Sequence, residues 1–491
     1  MKKLFFLICV TYSLMTSFTV YAKCDFQFSS SIDISGWQRG ETTLSNNKDG
    51  YLLAKSMVAN IQAQTDKSES DSVELKKQII SELEHGTVAK IYRATYKSII
   101  SRMKPDGYFP ESLTGAYPGE FPRTIGGLIS LFLETHDYDR AQLALSFVLE
   151  TMKRNNLSKV PHVVGPYKKL SKGKFEQGLD ITDQIDGRAF VVMAYARFCL
   201  VAKQKKIEDI YYDMMKKEMH SFLEQPYFYF SKGYQAKGID KVPYVFHPDR
   251  PVWSTTGLKL VFNVALEHSR ESRYWSTFDI MTQSVVGAAG EGMMKLAKKR
   301  GDKAFANFLS ERISLLKVGI DRNMTRIVDG KKVYLEMRLP NGDFGREFTG
   351  MGWLCYAPIA AQWEALDRQV LRNTIDLLKQ KLYIQDPLDK NIRFTASEYD
   401  EKGNISYEVI GKALGWDIDY CRKEGQYDKI LEWCVFLNKY HSDNDTYMEA
   451  IKLEDGEWEK GDLGNGEQCT WWCWAIARLR IALGLPALIR R

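Results

Sequence analysis

Residues 123–154 read RTIGGLISLFLETHDYDRAQLALSFVLETMKR. Apolar side chains recur every three or four positions on both sides of Thr135-His136-Asp137-Tyr138. The stretch therefore predicts two helices, 123–135 and 137–154, joined by a link so short that they must fold back as a hairpin. The same unit recurs along the chain. Helices are expected near 75–103, 183–203, 206–223, 275–300, 303–322, 350–364, 367–382, 407–424, 426–440 and 467–484. With the first pair they make six hairpins.

The connections alternate in length. Links inside hairpins are short, as in Arg300-Gly301-Asp302, Leu366-Asp367 and Glu424-Gly425. Links between hairpins (104–122, 155–182, 224–274, 323–349, 383–406 and 441–466) are long and rich in Gly, Pro and aromatic residues. If the hairpins close into a ring, the inner helix of each pair starts just after a long loop, and all long loops share one rim. Loops of that length in a compact domain are usually functional. A helical solenoid would repeat its sequence, and these hairpins do not. The expected fold is an all-α (α/α)6 toroid. Small residues at Gly126-Gly127, Gly287-Ala288-Ala289-Gly290, Gly350-Met351-Gly352 and Ala475-Ile476-Ala477 suit the inner helices, which must pack closely.

The 491 residues are 44% hydrophobic and 26% charged, enough for a large core, and the net charge of +6 is spread without a basic run. Nothing in that pattern asks for nucleic acid. The start, MKKLFFLICVTYSLMTSFTVYA, has two lysines, an apolar stretch and a small-residue site ending at Ala22. It reads as a cleaved signal peptide over 1–22, with a mature chain that has no membrane span and is periplasmic or secreted. Residues 23–74 are polar, with SESDS at 68–72, and read as a lead-in; 75–491 is the catalytic domain. Of eight cysteines, Cys9 would leave with the signal. Cys469 and Cys473 share the face of an apolar, Trp-rich helix, which favours core packing over a disulfide. No Cys/His cluster suggests zinc, so no metal and no cofactor is expected.

A rim of long loops around a ring suits glycan chemistry. A glycosidase needs one protonated and one ionised carboxyl flanking the sugar, about 6.5–9.5 Å apart for inversion and about 5–5.5 Å for retention. Such residues should lie on rim loops far apart in sequence. Glu267 follows the apolar run LKLVFNVAL, where burial would raise its pKa as a general acid requires; Arg270, Arg273 and Trp275 follow it. Glu449 lies in the loop before the last helix. Asp183 and Asp186 are one helical turn apart and read equally well as a helix cap. Glu111 and Glu336 read as structural loop carboxylates. Phe246, His247, Trp253, Trp275 and Trp353 are candidate sugar platforms.

The last sixty residues resemble the C-terminal end of glucoamylase-type enzymes, glycoside hydrolase family 15, and of the wider six-hairpin glycosidases. In that family a Glu on a short Ser/Tyr-rich stretch is the general base, ahead of an acidic Gly-containing loop and a helix opening Leu-Thr-Trp-Ser. Glu449 matches the base, Cys469-Thr470-Trp471-Trp472 the helix start, and Glu267 the place of the general acid. Glu120-Phe121-Pro122-Arg123-Thr124 stands where the family carries a sugar-gripping Trp-x-Arg-Asp motif, with Thr124 in place of the Asp. Asp183-Gln184-Ile185-Asp186-Gly187-Arg188 is similar to a Gln-x-Asp-Gly helix start. The resemblance implies an inverting, metal-independent glycosidase acting on the ends of an oligo- or polysaccharide, with an α-glycoside fitting the resemblance and Arg123, Asp186 and Arg188 on the sugar hydroxyls. The rivals are a polysaccharide lyase or unsaturated-uronide hydrolase on the same toroid, for which His268 and His247 are the residues to watch, and a non-catalytic glycan-binding protein.

Overall fold

The computed structural model describes residues 72–114, 117, 119–164, 185–202, 205–224, 226–229, 245–251, 258–263, 278–338, 352–398 and 404–489, with backbone alone for 226–229 and 245–251. The expected leader, nearly all of the polar lead-in, and Asp183, Glu267, Arg270, Trp275, Trp253 and His268 lie outside the described residues, as do the side chains of Phe246 and His247. Ser70–Arg491 forms one compact unit.

Thirteen helices are found among the described residues. They are α1 (72–84), α2 (Thr87–Arg102), α3 (Pro122–Glu134), α4 (Tyr138–Arg154), α5 (Ile185–Val201), α6 (Lys205–Leu223) and α7 (Ile280–Arg300), then α8 (Lys303–Asn323), α9 (Ala357–Ala361), α10 (Arg368–Leu382), α11 (Gly411–Glu424), α12 (Tyr427–Tyr440) and α13 (Gly466–Ala482). Helices α3, α5, α7, α9, α11 and α13 each pack on the next, and α13 returns to α3, closing the ring. The other helices lie outside it. This is the expected toroid of helical hairpins.

Burial separates the two shells. In α5 every residue from Ile185 to Ala196 is buried, and in α13 every residue from Gly466 to Ala477. A helix enclosed on all sides needs no polar stripe. Outer α10 buries only Val370, Thr374, Ile375, Leu378 and Leu382, the spacing of one apolar face. Close approach in the inner shell depends on glycine. A Cβ on Gly126 would come within 2.5 Å of the Phe190 ring of α5, and one on Gly127 within 2.4 Å of Thr470 Oγ1 of α13.

Two expected helices differ in detail. The one over 75–103 is broken at His85-Gly86 into α1 and α2. The one over 350–364 is a 3-10 turn, Trp353–Tyr356, running into α9, which stops where Gln362 takes a φ of 52°. The long loops also carry short antiparallel strands that helix periodicity did not reveal. These are β1 (Pro226–Tyr229), β2 (Val245–Pro251), β3 (Phe278–Asp279), β4 (Thr325–Val328), β5 (Lys331–Tyr334), β6 (Met337–Arg338), β7 (Tyr383–Gln385), β8 (Arg393–Thr395), β9 (Glu408–Ile410), β10 (Ala450–Glu454) and β11 (Glu457–Lys460). Two of their turns carry a signal visible in the sequence. Asp329-Gly330 and Asp455-Gly456 both have positive φ at both positions, the requirement of a two-residue hairpin turn. Cys469 and Cys473 are free and buried, as their helix face suggested.

Candidate active site at the long-loop rim

All six inner helices begin at the rim that carries the long loops, and their first turns bring polar side chains into the crowded end of the ring. Arg123 stands at the start of α3, Asp186 at the start of α5, Asp279 at the N-cap of α7, Trp353 just ahead of α9, Lys412 at the start of α11 and Glu467 in the first turn of α13. Each comes from a different hairpin. The helix starts add unsatisfied N–H groups and the positive end of the helix dipole, which favour carboxylates there.

The groups are linked in series. Arg123 Nε lies 3.7 Å from Asp186 Oδ2 and 3.9 Å from Glu467 Oε1. Lys412 Nζ bonds Glu467 Oε1 at 2.9 Å and sits 4.3 Å over the ring of Trp353. Trp353 Nε1 donates to Glu398 Oε1 at 2.7 Å. Beyond Glu398 lies Glu336, just ahead of β6, and beyond Glu336 is Asp279; the charges of Glu398 and Asp279 both act on Glu336, and the charge of Asp186 acts on Asp279. The chain of interactions therefore returns to Asp186.

The environments of these groups differ. Burial works against an ionised Glu467, but Arg123 and Lys412 outweigh it and hold the carboxyl below its ordinary range. Burial also lowers Lys412, offset by Glu467. Asp186 is raised by burial, with Arg123 as the main counterweight. Burial and then the Asp186 charge push Asp279 up to about 7, although it accepts the Thr282 N–H at 2.6 Å. Burial, followed by Glu398 and Asp279, pushes Glu336 up to about 8. Half-buried Glu449 stands beside this set. Burial and the Asp462 charge raise its carboxyl, and Lys412 pulls it back. Its backbone is anchored from both sides, with Gly411 N donating to Glu449 O at 2.8 Å and Glu449 N to Asp462 O at 2.9 Å.

Arg123, Asp186, Trp353 and Glu449, selected from the sequence, thus gather at one rim. Arg188 does not join them. Its guanidinium turns toward α6, bonding Glu218 at 2.6 Å and lying over Phe222, so it braces the outer shell. Glu111 is structural, as expected: it accepts the Glu467 N–H at 2.8 Å and the Thr124 hydroxyl. Glu336 is buried as well, with its carboxyl seated against Gly352. Lys412 and Glu467 were not selected. Both resemble ordinary charges at helix starts, and only the ring closure that buries them against Arg123 and Trp353 gives them away. A shallow recess opens between the starts of α3 and α5, lined by Phe121, Arg123, His162, Gly187 and Arg188 among others.

Solved structures share this architecture. A glycosidase variant aligns with 82% of this chain and 100% of its own at a TM-score of 0.54 and 11% identity. A metal-independent alpha-mannosidase of Streptococcus pneumoniae, in complex with alpha-1,6-mannobiose, aligns with 85% of this chain and 98% of its own at 0.56 and 11% identity. A bacterial glucoamylase complexed with acarbose aligns with 83% of this chain and 58% of its own at 0.53 and 12% identity, so the match spans little more than half of that enzyme. No family profile matches the sequence, and no curated protein matches it. The chain has the toroid fold of the six-hairpin glycosidases.

Proposed function

We propose that the protein is an exported glycoside hydrolase that removes terminal sugars, α-linked ones by the resemblance, from a glycan with inversion. Glu449 is the base that activates water, and Glu267 the acid that protonates the leaving oxygen. Arg123 and Asp186 hold hydroxyl groups of the sugar. Arg270 and Trp275, in the same loop as Glu267, and Asp183, just ahead of α5, complete the binding set. Trp353 contributes an edge rather than an open face, because Lys412 lies over its ring.

The observation that carries this reading is the placement of Glu449. It is a half-exposed carboxyl on a rigid backbone at the mouth of the ring, beside an ammonium group and a second carboxylate. A raised pKa makes a carboxylate a better proton acceptor while it stays ionised near neutral pH. The neighbouring Arg123, Glu467 and Lys412 form a fixed polar frame of the kind that orients a sugar without rearranging.

The test is a screen of the mature protein on a panel of glycans and nitrophenyl glycosides, followed by a proton-magnetic-resonance time course on any substrate cleaved. The expected first product has inverted anomeric configuration. In Glu267→Gln, activity on natural glycosides should fall by roughly 10²-fold or more, while dinitrophenyl glycosides, whose leaving group needs little protonation, are spared. A retained anomer would overturn the roles of both carboxyls, and an ultraviolet-absorbing unsaturated product would make the protein a lyase.

A further inference from the structure

The segment that carries Glu449 is paired with the one that leads into α13. Gly464 N donates to Tyr447 O at 2.7 Å, Met448 and Leu463 form an antiparallel bridge, Glu449 N donates to Asp462 O at 2.9 Å, and Gly461 N to Ala450 O at 2.8 Å. Strands β10 and β11 continue the pairing beyond it. Glu449 is thereby set opposite Asp462.

Asp462 is fastened from a third place, the loop ahead of α3. Ser112 Oγ donates to Asp462 Oδ1 at 3.0 Å, and Thr114 Oγ1 donates to the same oxygen at 2.7 Å. The Thr114 N–H donates to Ser112 Oγ at 3.1 Å, which keeps the two hydroxyls together. Two further bonds run alongside, from Gly466 N to Glu111 O at 2.7 Å and from Glu467 N to Glu111 Oε1 at 2.8 Å. Leu113 packs on the same seam, where a Cβ on Gly464 would fall 2.3 Å from Leu113 Cδ1.

An asparagine at 462 could accept the same hydroxyls and offer the same backbone carbonyl. The aspartate adds only a negative charge, and like charges opposite each other across paired segments are destabilising. Folding does not reward that choice, so its return lies in the site. Burial is the first cause that raises the Glu449 carboxyl, and Asp462 is the foremost of the charges around it. Glu467 of α13 and Glu408 of β9 act in the same sense, and Lys412 of α11 opposes them.

We propose that Asp462 is a positioning residue for Glu449: held by the hydroxyls of Ser112 and Thr114, it fixes the backbone of the base and sets a negative charge opposite it. This rests on the reading of Glu449 as the base. Fixing the backbone matters because a displacement of about 1 Å can cost about 10²-fold in rate. The charge matters because a carboxylate beside another negative group takes a proton from water more readily.

The experiment separates the two contributions. Asp462→Ala loses both the tie and the charge, and its kcat should fall by up to about 10²-fold. Asp462→Asn keeps the tie, so it should recover most of that kcat with KM unchanged. The base must be ionised to act, and ionisation is easier without the neighbouring charge. The acid limb of the kcat/KM profile of Asp462→Asn should therefore move to lower pH, which a merely structural role would not produce. The same displacement should be seen without substrate, in the carbon-13 resonance of the Glu449 carboxyl in glutamate-labelled protein, assigned by its loss in Glu449→Gln. A Glu449 carboxyl that titrates at the same pH in Asp462→Asn and in the wild type overturns the proposal. If Asp462→Asn misfolds, as circular dichroism would reveal, Thr114→Val at an exposed position takes its place: the Glu449 amide should exchange its hydrogen severalfold faster, and exchange at the wild-type rate overturns the proposal. If Glu449→Ala abolishes hydrolysis while the titration does not move, the inference falls and the glycosidase reading stands. If the titration moves and no glycan is cleaved, the inference stands and the glycosidase reading falls.

Discussion

The two ends of the toroid solve the same problem in opposite ways. At the end with short links, each turn is closed by groups that satisfy one another. Asp302 caps α8 by accepting the Phe305 N–H at 3.2 Å, and it also takes Lys216 Nζ at 2.6 Å and the Tyr212 hydroxyl at 3.2 Å. Asp367 caps α10 by accepting the N–H groups of Gln369 and Val370, and Gly301 closes α7 with a φ of 75°. At the long-loop end, burial pushes Asp279 up to about 7 and Glu336 up to about 8. One end is arranged for holding the ring together. The other spends stability on a polar mouth, as functional sites commonly do.

That contrast can be broken most decisively at Glu449. Glu449→Ala should reduce hydrolysis by about 10³-fold, the scale expected when a general base is lost, and should leave the melting temperature within a degree or two of the wild type. A variant that keeps its activity would show that the mouth does not act through this residue. One that loses its fold would place Glu449 with the structural carboxyls.

A second test compares the pH response of the two ends. Glu336 binds its proton more tightly in the folded chain, with a pKa of about 8, than in the unfolded chain. The folded state therefore holds the extra proton between the two values, and stability falls as pH rises from about 5 to about 8. Glu336→Gln removes that proton uptake. Its denaturation midpoint should gain on the wild type across this window, by roughly 2 kcal/mol at pH 8. Asp302 responds in the opposite sense. The hydrogen bond from Lys216, partly offset by burial, holds its carboxyl below the usual range, so its contribution is present at neutral pH and lost as the solution is acidified through that lower pKa. Parallel pH profiles for the two variants would erase the distinction.

The smallest effect is expected from the cap itself. Asp302→Ala should cost about 1 kcal/mol in chemical denaturation, the usual price of a helix N-cap, with no change in turnover. A change in turnover would mean that the two ends are mechanically coupled.

Most of the architecture was legible because it follows from local chemistry. The run Tyr138–Arg154 has one apolar face, an aspartate ahead of it and basic residues at its end, and such a segment reads as a helix wherever it docks. Gly411-Lys412-Ala413-Leu414-Gly415-Trp416 also reads as a helix start, but nothing in it shows that Lys412 will be buried against Trp353 and Glu467, since those partners are 59 and 55 positions away in sequence. The Arg123 and Asp186 pair was within reach through the motifs around each. The seating of the Glu336 carboxyl was not, because it depends on the closeness of Gly352. The short inner helix α9 was over-extended because its apolar periodicity continues through Gln362, where the backbone turns left-handed.

Ring closure has a consequence for the timing of folding. The first inner helix, α3, finds one of its two ring neighbours in α13, and the same seam is stitched by Arg102 to the Gly464 carbonyl and by Tyr92 to the Ala487 carbonyl at 2.9 Å. A chain made at about 5–20 residues per second leaves that face of α3 without its partner for tens of seconds while the intervening hairpins emerge. Gly126 and Gly127, which let neighbours come so close in the finished ring, present little side chain of their own during that wait. The seam is therefore the last part of the protein to exist, and its apolar lip is the surface most in need of shelter during synthesis.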